Sequence, residues 1–153
     1  MKELILSELD EHIKVAQQMK GLVDKINQAS EMCVQCLQNG HKILIFGNGG
    51  SAADAQHFAS EICSKFEKKR KHLPAIALTT DTSVITSLGN DFGFNYIFSK
   101  QIEALADKGD ILIAFTTSCK SKNIINALKL AKSKKLKINF FLTSLLIRHF
   151  MSP

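Results

Sequence analysis

The residue order predicts an α/β fold, a three-layer sandwich with a parallel sheet between helices, preceded by N-terminal helices. Three observations carry this. Four short apolar runs have the length and continuity of strands buried on both faces. Stretches with helical spacing separate them, the alternation that builds a parallel sheet through crossover helices. Two of the runs give way to loops rich in glycine or in hydroxyl groups, as strand ends facing a ligand do.

The first forty residues read as helix. Leu6, Leu9, Ile13, Ala16 and Met19 recur at helical spacing, with charged residues between them. Gly21 interrupts that rhythm and marks a bend. Leu22, Val23, Ile26, Ala29, Met32, Cys33 and Leu37 then continue it, and Asn39-Gly40 supplies a left-handed C-terminal cap. This long amphipathic start has an apolar face for its own domain or for a neighbouring subunit.

From there the period changes. Ile43 to Phe46 is the first strand, and Ala52 to Phe66 the helix after it. Pro74 to Leu78 is the second strand, followed by a helix through Val84 to Leu88 and another over Tyr96 to Ala106. Ile111 to Phe115 is the third strand, Ile124 to Lys132 a helix, and Ile138 to Leu142 the fourth strand. At 153 residues the chain fits one domain, with helices over 1–40, a sheet core over 41–138 and an atypical tail over 139–153.

The net charge of +6 raises nucleic acid, a membrane surface or a phosphorylated small molecule as partners. The excess lies in two runs, Lys65 to Lys71 and Lys129 to Lys137, where helices should end and cations complement the helix dipole. No RNA-binding signature with interleaved aromatics occurs, which disfavours nucleic acid. No apolar run approaches the 18 or so residues that cross a bilayer, so no membrane partner is expected. The N-terminus reaches acidic residues too early for a signal peptide. Cys33, Cys36, Cys63 and Cys119 form no disulfide framework, and a cytoplasmic location follows. Cys33 and Cys36 form a CxxC inside an amphipathic helix with no second pair nearby, and read as helix core.

Chemistry concentrates in the loops. Phe46-Gly47-Asn48-Gly49-Gly50-Ser51-Ala52 leaves a strand and enters a helix. Glycines there let the backbone approach a ligand, and the helix N-terminus presents N–H groups to an anion. Ser51 suits the N-cap. The spacing matches neither the P-loop nor the dinucleotide fingerprint. The second loop, Thr116-Thr117-Ser118-Cys119-Lys120-Ser121, offers four hydroxyls and a lysine at the end of the third strand, a set suited to phosphate. Together the loops call for a ligand that is anionic and rich in hydroxyls. His57 and Glu61, four residues apart, share one helix face and suit either a divalent metal or, through Glu61, proton transfer beside a carbonyl; a surface ion pair is the plainer alternative. Gly89-Asn90-Asp91-Phe92-Gly93-Phe94 reads as a turn whose Asn90 and Asp91 reach sugar hydroxyls or hold an Asx-turn.

The segment from Phe46 through Phe58, with Glu61 following, closely resembles the sugar-isomerase (SIS, flavodoxin-like) domain of bacterial phosphoheptose isomerases. Pro74 to Ser83, Gly89 to Phe94, Phe98 to Leu105 and the Thr116 to Ser121 loop resemble further blocks of that family, so the likeness runs from about residue 1 to 138. It implies interconversion of sedoheptulose 7-phosphate and a glycero-manno-heptose 7-phosphate, feeding lipopolysaccharide or capsule. It also implies a homotetramer with zinc at sites between subunits. Position by position, Asn48, Gly49, Gly50 and Ser51 would contact substrate, Asn90 and Asp91 its hydroxyls, and Thr116, Thr117, Ser118 and Ser121 its phosphate. His57 and Glu61 would ligate zinc, and Glu61 would also move the proton.

Two departures accompany the likeness. Cys119 stands where the family's phosphate loop usually has glycine. From Asn139 to Pro153 nothing matches the family, which continues through a long helix carrying a glutamine and a histidine for the zinc site. An incomplete ligand set, low turnover and a role limited to holding sugar phosphate are the corresponding expectations. The apolar run Phe140 to Ile147 adds the expectation of an uncovered sheet edge and poor solubility.

Overall fold

The computed structural model describes residues 1–64, 67 and 69–142, with side chains described as far as residue 138. The expectations for the tail beyond Leu142, and part of the first lysine run, lie outside the described residues. Two N-terminal helices, α1 (Lys2–Gln18) and α2 (Val23–Gln38), are joined by a 3-10 turn over Met19–Leu22, where Gly21 had marked a bend. The core follows as β1 (Ile43–Gly47), α3 (Gly50–Cys63), β2 (Ala75–Ala77), α4 (Thr82–Phe92), a 3-10 turn (Phe94–Tyr96), α5 (Ile97–Leu105), β3 (Ile111–Thr116), α6 (Lys122–Ser133) and β4 (Lys137–Leu142).

The four strands lie in the order β2-β1-β3-β4, every pairing parallel. Strand alternation sorts the core into two halves. Leu44, Phe46, Leu112 and Ala114 face α5 and α6 and pack with Ile97, Phe98, Ile102, Ile124 and Ala127. Ile43, Ile45, Ile111 and Ile113 point the other way, onto Cys36 of α2 and Ala55 and Ala59 of α3. This is the expected three-layer arrangement. Small residues on α3 bring its axis close to the sheet, while Phe46 and Phe98 fill the opposite layer with ring centroids 5.1 Å apart. Cys36 and Cys33 are helix core as expected, and burial pushes the Cys36 thiol up.

Four expectations change. Helix α3 begins at Gly50 with Gly49 as its N-cap, so Ser51 lies within the first turn and is buried. Gly49 adopts φ 57°, a conformation that costs a serine more than a glycine. Helix α3 also ends at Cys63 with Ser64 as its C-cap, and the expected extension to Phe66 lies outside the described residues. Asn90 and Asp91 belong to the last turn of α4, which runs on to Phe92 before Gly93 at φ 87° breaks it. The Asp81 carboxylate, accepting from the Val84 N–H at 2.9 Å, starts that helix earlier than hydrophobic spacing indicates.

At the opposite end of the sheet from the loops, Asp110 is 1% exposed and receives three donors: the Lys42 ammonium at 2.7 Å, the Lys42 N–H at 3.0 Å and the Asp107 N–H at 2.8 Å. Burial pushes this carboxyl up, but those donors outweigh it and hold the group below its ordinary value. The clasp ties the entry of β1 to that of β3. Register at one end is thereby fixed for the loops at the other.

Candidate sugar-phosphate site

Strands β1 and β3 are neighbours with Gly47 opposite Phe115, so their loops leave the sheet side by side. Adjacent strands are about 4.8 Å apart, which brings both loops within reach of one small ligand. The close turn after β1 depends on Gly47. A Cβ there would lie 2.6 Å from the Ser51 carbonyl oxygen, so only glycine lets the helix start so near the strand. The turn is closed by the Ser51 N–H donating to the Asn48 carbonyl at 3.0 Å and the Ala52 N–H to that of Gly49 at 3.0 Å.

In the second loop Thr116 is buried and its hydroxyl accepts from the Cys119 N–H at 3.3 Å, while the Ser118 hydroxyl accepts from the Lys120 N–H at 3.2 Å. Thr117 and Ser118 are exposed. Ser121 is the N-cap of α6 and makes no side-chain capping bond, which leaves its hydroxyl for other partners. Cys119, in the glycine position, does adopt the left-handed conformation, with φ 54°.

The loops are stitched together by a residue the sequence did not single out. Asn123, in the first turn of α6, donates from its amide to Asn48 Oδ1 at 2.8 Å and accepts from Asn48 Nδ2 at 2.9 Å. The only prior signal was an asparagine near the start of a helix, a common capping pattern. Beside the first loop a cavity of about 150 Å³ is lined by Gly47, Asn48, Gly49, Ala52, Thr79 and Phe94, with Ile85, Ile97 and Phe98 behind them. That is below the ~300 Å³ at which ligand pockets begin, so it suits part of a sugar rather than all of it. Its apolar wall from α4 and α5 carries no local sequence signal of its own.

His57 and Glu61 do share one face of α3, with Nε2 and Oε1 3.8 Å apart and side chains 78% and 34% exposed. Two tetrahedral zinc donors at about 2.0–2.2 Å from one ion stand about 3.4 Å apart, so the pair is somewhat wider than half of such a set but has its donor chemistry. Among the described residues no third His, Cys, Asp or Glu joins them in a cluster able to hold a metal. The edge-on contact of Phe58 with Phe115, centroids 6.0 Å apart, braces this stretch of α3 against the end of β3. Asn90 and Asp91 are exposed, bond to each other at 2.9 Å and do not line the cavity. No helix among the described residues is long and apolar enough to cross a membrane.

Comparison with known proteins gives the same picture. A model of the SIS domain family matches residues 9–141, which corrects the expected limit at 138: Asn139, Phe140 and Phe141 still belong to the family match, within β4. Phosphoheptose isomerase of Campylobacter concisus is 49% identical over 138 residues, covering 90% of this chain and 73% of that protein. Phosphoheptose isomerase of Geotalea uraniireducens is 54% identical over 132 residues, covering 86% and 70%. Among solved structures, phosphoheptose isomerase from Neisseria gonorrhoeae superposes with a TM-score of 0.85 at 44% identity, covering 91% of this chain and 73% of that one. The enzyme from Francisella tularensis gives 0.86 at 41% identity, covering 90% and 73%. Sheet order, loop placement and this degree of identity agree: the chain belongs to the SIS-domain family, among the phosphoheptose isomerases.

Proposed function

We propose that this chain binds sedoheptulose 7-phosphate across its two loops and interconverts it with D-glycero-D-manno-heptose 7-phosphate, in heptose supply for lipopolysaccharide or capsule. The observation that carries the reading is the pairing of a glycine loop and a hydroxyl loop on adjacent parallel strands, each opening a helix. Thr116, Thr117, Ser118 and Ser121 take the phosphate, while Asn48, Gly49, Gly50 and Ser51 take the sugar. Asn90 and Asp91, on α4 outside the cavity, would meet sugar hydroxyls only at the far end of an extended ligand.

Glu61 is the proposed base. Its carboxylate takes a proton from the carbon beside the carbonyl, the electron pair forms the enediol, and return of the proton to the neighbouring carbon gives the aldose. The oxygens exchange a proton as well, which requires a second acid/base group. His57 and Glu61 are also the proposed zinc ligands; bound zinc would polarise the sugar carbonyl. With only two donors from α3, the remaining ligands must come from elsewhere, such as a second copy of the chain.

A homo-oligomer, a tetramer in the family, is part of the proposal. It is supported by α1, which buries none of its residues and leaves Leu4, Ile5, Leu6, Leu9 and Ile13 half exposed. Cys33, Cys36, Cys63 and Cys119 all carry free thiols, in keeping with a cytoplasmic setting. The half-complete donor set favours a second reading, a module that holds sugar phosphate with little turnover. Calorimetry with sedoheptulose 7-phosphate, run beside a coupled isomerase assay, separates the two. Heat with turnover supports the isomerase, heat alone supports the binding module, and no heat at millimolar ligand refutes both.

A further inference from the structure

We propose that Asn123 is a positioning residue of this site, holding the glycine loop and the hydroxyl loop at one spacing through its paired amide with Asn48. The proposal rests on the sugar-phosphate reading above and names a device within it. Asn48 and Asn123 are 75 residues apart in sequence, yet their side chains form a closed ring of two hydrogen bonds, 2.9 and 2.8 Å long. Only an amide opposite an amide closes such a ring: a carboxylate lacks the donor, and a hydroxyl lacks both the reach and the second atom.

Asn123 is anchored on its other side as well. Its Oδ1 accepts from the Ile124 N–H at 2.9 Å, and the residue is 3% exposed. Asparagine is a poor helix former, and burying an amide costs free energy unless it is fully bonded. Here it is bonded, and its partner is the first residue of the glycine loop. Asn48 is only half buried, and the ring uses one of its two amide hydrogens and one of its two lone pairs. The others remain for a ligand, in an orientation set from behind by Asn123. A glycine-rich turn has little stiffness of its own, so this clasp supplies the fixed geometry that a ligand spanning both loops needs.

The test uses the full chain and two probes. Asn123→Asp keeps the shape and turns the donor into an acceptor facing Asn48 Oδ1. At pH 8 it should weaken sedoheptulose 7-phosphate about tenfold or more, and inorganic phosphate, which needs only the hydroxyl loop, by less than about twofold. Protonating the new carboxyl restores a donor, so the ratio of variant to native affinity should recover towards pH 5, where burial helps by raising that group. Equal losses for both probes, or a ratio indifferent to pH, would overturn the proposal. A ligand-free measurement guards against misfolding and against failure of the function reading. In Asn123→Ala the Ser51 amide, bonded to the Asn48 carbonyl, should exchange with solvent about tenfold faster; an unchanged rate would overturn the clasp. Native protein that binds neither probe refutes the sugar-phosphate reading, and exchange then decides the clasp alone.

Discussion

Cys119 occupies the left-handed region at φ 54°, and its N–H is held by the Thr116 hydroxyl. A side chain there costs about 1 kcal/mol relative to glycine. Cys119→Gly should therefore raise the thermal midpoint by about 3 °C and tighten inorganic phosphate binding, both readable in one melting series with and without phosphate. A lower midpoint would show that the thiol contributes packing that outweighs the backbone strain. Asp110 makes a second residue-level case. Its carboxyl is held below the ordinary value near 3.9, so its contribution is present above that pH and lost as pH falls through the lower folded value. Lys42 is shifted up, because the hydrogen bonds from its ammonium to Asp107 and Asp110 outweigh burial. Its share is present below about 10.5 and lost at higher pH. Asp110→Ala leaves two backbone N–H groups and the ammonium without this acceptor and should cost about 3 kcal/mol at pH 7. Urea unfolding of both proteins from pH 7 down to 2 should show the gap closing in acid; a gap independent of pH would contradict the clasp.

At the scale of elements, α1 and α2 differ in what they cover. Helix α2 puts Cys36 into the core against β1, whereas α1 ends its contribution at the 3-10 turn and keeps its apolar stripe open. This exposed apolar surface is what the proposed homo-oligomer would cover. Leu6→Glu combined with Leu9→Glu should lower the oligomeric mass seen by light scattering while leaving the far-ultraviolet circular dichroism unchanged. An unaltered mass would remove α1 from the interface. Periodicity made the strands and the direction of each helix legible, because Ile43 to Phe46 and Ile111 to Phe115 are continuous apolar runs that only a two-sided sheet accommodates. What it could not show was set by single contacts. The Asp81 cap set the start of α4, and the break at Gly93 left Asn90 and Asp91 in its last turn rather than in a loop. The close approach of Gly47 to Ser51 moved the start of α3, so that Gly49 rather than Ser51 caps it. Asn123 was invisible for a similar reason: its partner is 75 residues away, and no local pattern records that distance.

Over the whole molecule, the clasp at Asp110 and the amide pair at Asn48 and Asn123 sit at opposite ends of the same two strands. Between them the strands are buried on both faces, so the loops are carried on a stiff platform. Helix α3 leaves the glycine loop and carries Glu61 in its last turn, and Phe58 against Phe115 couples the helix to the end of β3. The proposal that gives these parts a common purpose is Glu61 as the group that moves a proton on a bound ketose phosphate. Deuterium wash-in measures it directly: native protein and Glu61→Gln are incubated with sedoheptulose 7-phosphate in heavy water, and the recovered sugar is examined by NMR. Deuterium entering beside the carbonyl with native protein, and falling at least about a hundredfold with Glu61→Gln while binding persists, is the expected result. Wash-in that survives Glu61→Gln, or none with native protein saturated by ligand, would contradict the assignment.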